Sequence, residues 1–323
     1  MIKAMSIPTV SLSQLMNTAD APARRQAIRQ LADVCATWGF AYLTDLPDSI
    51  QTDRLFAAAK AFFTLPQDEK LQVAPHRHNP KNANPYRGFF PATTESSTFK
   101  EGFELGWPHY RLTHAGDGFD APNQWPATDP FNGWRHLLEQ HFIGQLAICD
   151  SLLTAFEEHY ALPQRYFTDK FQNSLSTLRL LHYPVADHAK DHSETIQFLT
   201  PEHTDTGVLS LLLQDDVGGL QVRAPDDSWV DVTPTPGTLV MNIGNLLQFW
   251  TDGELRSTIH RVVITPQERY SIPFFLEPDA DAYIVPHQPR NNTTGVVYRE
   301  YLKDKLSVFV EYQGGQPVDA KPH

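Results

Sequence analysis

The segment "HTDTGVLSLLLQ", residues 203–214, places His203, Thr204 and Asp205 directly before an apolar run with the character of a β-strand. Side chains two residues apart in an extended chain point to the same side, so His203 and Asp205 can bind one metal ion together while Thr204 points away. Taken alone, the pair is more simply explained as a polar turn that precedes a strand. Its interpretation therefore depends on which other residues the fold brings beside it.

His260, in the strand-like segment "STIHRVVI" of residues 257–264, is a third candidate ligand, because antiparallel strands can return it to the side of the pair. Two imidazoles and one carboxylate leave three coordination positions open, which suits an iron(II) ion that must bind a co-substrate and dioxygen together. A structural zinc site would more often use cysteines. Cys35 and Cys149 lie far from these residues in helix-like patterns, so iron fits better.

A strand that follows His260 carries two further polar candidates. The segment "RYSIPFF", residues 269–275, puts Arg269 and Ser271 on one face. An arginine in an apolar strand is costly to desolvate unless it is paired. One interpretation pairs it with an acid of the protein such as Glu277. Beside a metal site, a bound dicarboxylate is the better explanation, since a guanidinium offers two parallel donors and the serine a third.

The texture of the chain changes near residue 172. Beyond it, short β-branched or aromatic runs alternate with Gly, Pro and Asp, a spacing typical of a β-sandwich or barrel. Gly218 and Gly219 are predicted to form a tight hairpin between two such strands. Helices predominate earlier, and the longest is predicted over residues 131–162; helical spacing returns over residues 297–312.

Composition excludes several classes of protein. The chain of 323 residues has a net charge of -12 and two cysteines. A chain of this length can form one large core without disulfides or structural zinc. Its acidity and its lack of Lys and Arg clusters argue against a nucleic-acid partner. No apolar run is long enough for a membrane span, and no targeting signal is seen, so a cytoplasmic protein without membrane association is expected.

The combined pattern resembles the iron(II)- and 2-oxoglutarate-dependent dioxygenases of the isopenicillin N synthase-like group. These proteins carry His-x-Asp, a distant His and then Arg-x-Ser, which are present here as "HTD", "IH" and "RYS". The segments "YRGFFP", "KEGFELG" and "LRLLHYP" are also similar to that group. The resemblance implies a mainly β fold with accessory helices, built on a double-stranded β-helix, or jelly roll, with the metal inside its mouth.

The resemblance also implies a role for each matching residue. His203, Asp205 and His260 would bind iron(II), and Arg269 and Ser271 would hold the 5-carboxylate of 2-oxoglutarate. The implied cofactors are therefore iron(II), 2-oxoglutarate as co-substrate, and dioxygen.

Two further positions in the segment "LRLLHYP" bear on the expected contacts with 2-oxoglutarate. Tyr183 of "LHYP" matches a tyrosine that often adds a hydrogen bond to the 2-oxoglutarate carboxylate. Leu181 stands where members of the group frequently carry asparagine, so one polar contact near the co-substrate is expected to be missing.

Three regions are expected along the chain. Residues 1–170 would form a mixed α/β region whose long helix packs on the core, with the N-terminal dioxygenase region of the family over about residues 7–120. Residues 171–285 would form the jelly roll. Residues 286–323 would form a helical segment that covers the active site, and the protein is expected to be a monomer or a weak dimer.

The implied activity is oxidation of a C-H bond in a small molecule, by hydroxylation, desaturation, or oxidative cyclisation or rearrangement. It would belong to specialised metabolism and release succinate and carbon dioxide. Candidate substrate contacts share a position near the expected mouth: Tyr86, Arg87, Phe89, Phe90, Glu104, Arg179 and Phe275. Core packing and ordinary ion pairs explain most of them equally well. If Arg87 or Arg179 faces the iron, the substrate should carry a carboxylate or another anion.

Three other functions stay open at this point. One is an iron oxidase of the same fold that works without 2-oxoglutarate, of the isopenicillin N synthase or aminocyclopropanecarboxylate oxidase type. Another is an ethylene-forming enzyme. The last and most remote is a jelly-roll protein that keeps a metal for structure or sensing without catalysis.

Overall fold

Two β-sheets carry the fold and pack against each other through a shared cluster of buried apolar side chains. The computed structural model describes residues 6–92, 100–108, 121–185, 198–289 and 293–306. Within this part of the chain, the large sheet has eight strands and the small sheet has four. A further pair of short strands lies before the last described helix.

The strands are numbered in chain order. They are β1 Thr9–Ser11, β2 Phe40–Thr44, β3 Gly88–Phe90, β4 Glu101–Leu105, β5 Thr177–Tyr183, β6 Phe198–His203, β7 Leu209–Gln214, β8 Leu220–Arg223, β9 Trp229–Asp231, β10 Leu239–Ile243, β11 His260–Val263, β12 Arg269–Leu276, β13 Tyr283–Ile284 and β14 Val296–Val297. The large sheet has the order β1-β2-β10-β7-β12-β5-β4-β3, and the small sheet has the order β6-β11-β8-β9.

The helices are α1 Leu12–Met16, α2 Ala21–Thr37, α3 Thr52–Phe63, α4 Gln67–Leu71, α5 Trp134–His159, α6 Asn245–Trp250 and α7 Tyr298–Leu306, with a 3-10 helix at Thr168–Phe171. The long predicted helix is α5. It begins after Gly133, whose φ of 75° suits glycine, and the Asp129 carboxylate accepts hydrogen bonds from the N-H groups of Gly133 and Trp134. The final predicted helix is present as α7, and its continuation to residue 312 lies outside the described residues.

One face of the large sheet packs on the helices. Phe103 of β4 and Phe274 of β12 are fully buried there, in contact with Trp134 and Phe142 of α5. Phe62 of α3 stacks on Trp134, which extends the same core. Large aromatic side chains contribute most of the burial energy of such a core, so this face holds the helical layer in place. We call it the outer face.

The opposite face, called the inner face, packs on the small sheet. Phe40, Val240 and Tyr183 of the large sheet share a buried cluster with Val222 and Val262 of the small sheet. Because successive side chains of a strand point to opposite faces, each strand of the large sheet supplies both layers. The expected mainly β jelly-roll core with accessory helices is confirmed, and the inner face is its interior.

The predicted hairpin at Gly218 and Gly219 is wrong. β7 belongs to the large sheet and β8 to the small sheet, so the two glycines carry the chain from one sheet to the other. Both have positive φ, 85° and 91°, and a Cβ on Gly219 would lie 2.8 Å from a Thr265 side-chain carbon. The two glycines allow the chain to pass from one sheet to the other at a point where a side chain would not fit. A Gly-Gly pair is equally typical of a hairpin, so the local sequence does not distinguish the two.

The first strands join the same sheet as the later ones. β2 pairs with β10 and carries β1 at the sheet edge, and β4 pairs with β5 and carries β3 at the other edge, so the N-terminal region is continuous with the jelly roll. The boundaries at residues 170 and 285 stay a prediction. Within the described residues, no helix is both long enough and apolar enough to cross a membrane.

Candidate metal centre

Two histidines and an aspartate meet where the small sheet opens toward the large one. His203 ends β6 and His260 begins β11, and the two residues are directly paired across these antiparallel strands. Asp205 follows β6 after one residue. Its Oδ1 lies 3.8 Å from His203 Nε2 and 3.7 Å from His260 Nε2, and the three ligand atoms lie within 4.8 Å of one another. Strand pairing therefore brings together residues more than fifty positions apart.

Backbone carbonyls orient both imidazole rings. His203 Nδ1 donates to the carbonyl of Pro201 at 2.8 Å, and His260 Nδ1 donates to that of Thr258 at 3.1 Å. In this tautomer each Nε2 presents its lone pair to the space between the rings. Burial, together with the nearby His260, lowers the pKa of His203 to about 4, so its ring is neutral at pH 7 and able to bind a metal.

The carboxylate of Asp205 is held so that only one oxygen faces the histidines. Its Oδ2 accepts hydrogen bonds from the Ser210 hydroxyl and, at 2.7 Å, from Asn242 Nδ2. Ser210 and Asn242 are paired across β7 and β10 on the inner face. Burial alone would raise the pKa of Asp205, but the two histidines and these hydrogen bonds hold it below its ordinary value. The arrangement favours a carboxylate that binds a metal through Oδ1 alone.

A close backbone contact fixes the segment that carries Asp205. The N-H of Asn245 donates to the Asp205 carbonyl at 2.7 Å, and its side-chain amide donates to the Thr204 hydroxyl at 3.0 Å. A Cβ on Gly244 would collide with the carbonyl of Gly207, so this approach requires glycine. Thr204 thus has a structural contact on the side away from the ligands.

The donor set fits an iron(II) ion of the kind that keeps positions for other ligands. Two imidazole nitrogens and one carboxylate oxygen lie within 4.8 Å of one another, and none of the three residues is a cysteine. The three side chains would supply three ligands to an ion that takes six. The remaining positions are open to small oxygen-containing ligands.

A buried arginine lies on the inner face of the large sheet, against the buried cluster shared by the two sheets. The Arg269 side chain is 1% exposed, and its Nε donates to the Gly218 carbonyl at 2.8 Å. Its guanidinium carbon lies 4.9 Å from the centre of the Tyr183 ring, and Arg269 and Tyr183 are paired across β12 and β5. Among the described residues, Nη1 of Arg269 has no hydrogen-bond partner.

An unpaired buried guanidinium nitrogen favours a ligand with a carboxylate. Ser271 is 2% exposed and lies two residues further along the same face of β12. Burial alone would raise the pKa of Tyr183, but the nearby Lys100 and Arg269 charges hold it below its ordinary value. The alternative that pairs Arg269 with Glu277 does not hold, because Glu277 accepts a hydrogen bond from Tyr298 of α7 instead.

A charged cluster occupies the inner face further along the large sheet. Glu104 is 1% exposed, and its two oxygens accept from Arg87 Nη1 at 2.9 Å and Arg179 Nε at 2.7 Å. Arg87 also donates to the Thr177 hydroxyl, and its guanidinium lies 4.7 Å from the Tyr86 ring centre. Arg87 is thus enclosed, whereas the Arg179 side chain is 25% exposed and covers the ring of Phe275 at 5.4 Å.

Comparison with known proteins is consistent with this geometry. Residues 174–278 match the 2OG-Fe(II) oxygenase superfamily, and residues 7–128 match the N-terminal region of the non-haem dioxygenases in morphine synthesis. A 2-oxoglutarate-Fe(II) type oxidoreductase of Emericella nidulans is 32% identical over 292 residues, covering 85% of this chain and 80% of that protein. This chain belongs to the 2-oxoglutarate-Fe(II) oxygenase superfamily.

Other relatives of this oxygenase act on or bind small molecules. A proline hydroxylase of Petromyces alliaceus is 30% identical over 303 residues, with 87% of this chain and 90% of that protein covered. A full-length protein of Neurospora crassa, solved in complex with alpha-KG and thymine, has a TM-score of 0.78 and 28% identity, with 95% of this chain and 98% of that one covered. The oxygenase is thus an enzyme that uses iron(II), 2-oxoglutarate and dioxygen.

One predicted substrate contact of the oxygenase is wrong. Phe89 is fully buried on the outer face, 5.9 Å from the ring of Phe62, and therefore points away from the metal centre. Its neighbour Phe90 takes the inner face, as alternation in β3 requires, and is partly exposed. Glu104 shares the inner face, but both of its oxygens already bind arginines, so it orients Arg179.

Several residues that shape the oxygenase site were missed by sequence reasoning. Ser210, Asn242, Asn245 and Gly244 contact the Asp205 segment, and Lys100 influences Tyr183 and His203. Because side chains alternate along β7, its sequence would have placed Ser210 on one face of the strand, apart from the leucines on either side of it. No comparable signal marks Asn242, because its pairing with Ser210 joins distant strands.

Proposed function

We propose that this oxygenase binds iron(II) through His203, Asp205 and His260, and 2-oxoglutarate through Arg269, Ser271 and Tyr183. The observation that carries the proposal is one juxtaposition. His260 of the triad contacts Phe40, and the buried Arg269 guanidinium, whose Nη1 has no partner in the described residues, contacts Tyr183; both rings belong to the buried cluster between the sheets. The first group matches the ligand preference of iron(II), and the second matches the distal carboxylate of a dicarboxylate.

Iron(II), 2-oxoglutarate and dioxygen, when bound, would together supply the oxidant for a C-H bond, with 2-oxoglutarate converted to succinate and carbon dioxide. The residues of the chain provide geometry. The carbonyls of Pro201 and Thr258 accept from Nδ1 of the two histidines and so direct each Nε2 inward, and Ser210 and Asn242 keep one oxygen of Asp205 away from the metal. Buried apolar neighbours on both sheets limit the access of water to this space.

We further propose that the substrate is a small molecule bound between the metal and Arg179, against the ring of Phe275. The Arg179 guanidinium binds Glu104 through Nε and lies over the ring of Phe275, so its positive charge favours an anionic group of the substrate nearby. Arg179 is more exposed than Arg87, so a carboxylate of the substrate has its best partner there. Hydroxylation, desaturation and oxidative cyclisation or rearrangement are the possible outcomes, in specialised metabolism.

A cytoplasmic location and a monomeric or weakly dimeric state belong to the same proposal. Sedimentation of the purified chain over a range of concentrations measures the second of these. A tight dimer at the lowest concentration would contradict it.

The test of the co-substrate assignment is an anaerobic titration of the purified protein with iron(II) and then 2-oxoglutarate. A weak visible metal-to-ligand charge-transfer band is expected in the wild type, and the band should be lost in His203→Ala. Absence of the band from the folded wild-type protein would refute 2-oxoglutarate dependence and favour an oxidase of the same fold that works without it.

A further inference from the structure

Glu277 directly follows β12, and the proposed iron and 2-oxoglutarate sites do not use its carboxyl group. It lies two residues beyond Phe275, so alternation directs it to the inner face. Its Oε2 accepts a hydrogen bond from the hydroxyl of Tyr298 in α7. Its Oε1 lies 3.3 Å from where a Cβ on Gly207 would be, beside the segment that carries Asp205.

Glu277 has charged neighbours but no ion pair within the described residues. Burial raises its pKa to about 8, and Arg179 and then Arg87 act against this while Glu104 and Asp205 add to it. Both oxygens of Glu104 bind the two arginines, whereas Oε1 of Glu277 has no hydrogen bond within the described chain. A partly buried carboxyl in this situation gains most from a ligand that brings a positive charge.

The charges around Phe275 balance once Glu277 is ionised. Arg87 and Arg179 contribute two positive charges, and Glu104 and Glu277 two negative charges. The guanidinium of Arg179 covers the Phe275 ring, and Glu277 follows it on the same face, so opposite charges flank one apolar surface. This pattern is complementary to a ligand with one charge of each sign joined by a short carbon skeleton.

We propose that Arg179 and Glu277 together select an amino-acid substrate, with its carboxylate at Arg179 and its ammonium group at Glu277 Oε1. The inference rests on the proposed function, since it names the substrate class of that same site. A plain carboxylic acid would leave Glu277 without a partner, and an uncharged ring such as thymine would match neither charge. Unpaired buried polar groups of this kind are what allow a site to reject an analogue.

The experiment measures succinate released by the iron-loaded enzyme with 2-oxoglutarate and one test compound at a time. The compounds are the twenty protein L-amino acids, the deaminated acid of each amino acid that gives release, and thymine. We expect at least one amino acid to stimulate release, with kcat/KM about tenfold or more above that of its deaminated acid. Equal stimulation by the deaminated acid, stimulation by thymine alone, or no stimulation by any amino acid would overturn the proposal.

Two variants separate recognition of the amine from support of helix α7. Glu277→Gln removes the charge, and we expect KM for the amino acid to rise about tenfold or more. Tyr298→Phe removes the hydrogen bond between Glu277 and α7 but keeps the carboxylate, and we expect KM to change less than about threefold. Equal increases in both variants would show that Glu277 only anchors the helix and would overturn the proposed role.

The charge-transfer band distinguishes failure of this inference from failure of the proposed function. A wild-type protein that shows the band but does not prefer amino acids refutes amino-acid selection alone. A folded wild-type protein without the band refutes the co-substrate assignment on which the inference rests.

Discussion

The two faces of the large sheet use the same strands for different purposes. On the outer face, Phe103 and Phe274 pack against α5 with no exposed surface. On the inner face, one residue away in the same strands, Glu104 and Phe275 take part in the charged cluster. Stability and chemistry are therefore separated by the period of two in a strand, and neighbouring substitutions should give opposite phenotypes.

The separation is not one of polarity alone. The outer face also holds a polar group, in which Glu101 binds Lys70 at 2.8 Å and His182 at 2.7 Å. His182 additionally contacts Glu268 at 2.6 Å and stacks on Tyr270. These groups have partners on every side that the structure describes, whereas Arg269 and Glu277 on the inner face each keep an atom that is unbonded within the described chain. Within the described residues, these two groups of side chains differ in whether their polar atoms are all paired, not in polarity.

The largest expected effect lies on the metal side of this comparison. His203→Ala should abolish iron binding and turnover while the thermal unfolding midpoint of the metal-free protein stays within about 2 °C of the wild type, since no core contact is lost. Titration with iron(II) and calorimetry of the apoprotein measure both. A metal-free variant that unfolds far earlier would mean that His203 has a structural role.

The next largest effect is expected from alanine substitution of Phe274, in comparison with the same substitution of its neighbour Phe275. Phe274→Ala should lower the free energy of unfolding by about 3–5 kcal/mol, because it opens a cavity between β12 and α5. Phe275→Ala, on the partly exposed inner position, should cost markedly less stability and mainly raise KM for substrate. Urea denaturation gives the free energy of unfolding of each variant, and steady-state kinetics gives its KM. Equal loss of stability in both variants would contradict the proposed difference between the two faces.

Arg269→Ala tests the unpaired guanidinium. We expect the dissociation constant of 2-oxoglutarate to rise by about 30-fold or more, because a charge-assisted bidentate contact contributes roughly 2–3 kcal/mol. Iron(II) affinity should change little. The charge-transfer band, followed as a function of 2-oxoglutarate concentration, gives both values, and an unchanged dissociation constant would remove Arg269 from the proposed co-substrate site.

Asn242→Ala tests how the carboxylate ligand is held. Loss of its hydrogen bond to Asp205 Oδ2 should weaken iron(II) binding by about tenfold, as is usual for residues that orient a ligand. Asn245→Ala is a matched control, because its amide contacts Thr204 and not the Asp205 carboxylate. Iron titrations that weaken equally in both variants would indicate loosening of the whole segment.

The smallest effect is expected at the residue between the ligands. Thr204→Ala removes the hydroxyl that accepts from Asn245, together with one methyl group, and should lower the free energy of unfolding by about 1 kcal/mol with little loss of iron. Iron loss comparable to that of His203→Ala would show that the alternation of this segment had been misread.

Much of the site could be predicted from the sequence because the face on which a strand residue lies depends only on its position within that strand. The parity of His203 and Asp205, and that of Arg269 and Ser271, follows directly from the extended chain. The same rule requires Phe89 and Phe90 to face opposite ways. It does not say which face is inside, and that choice is made by α3, since Phe62 covers Phe89.

The sequence by itself determined the donor set, the β-rich texture and the resemblance that implies an iron and 2-oxoglutarate chemistry. Tertiary structure alone decided that His260 pairs with His203, that Asn242 reaches Asp205, and that Gly218 and Gly219 cross between sheets. The physical reason is the range of the forces involved. Alternation and propensity act over a few residues, whereas sheet order and register depend on side-chain packing between strands that are distant in the chain.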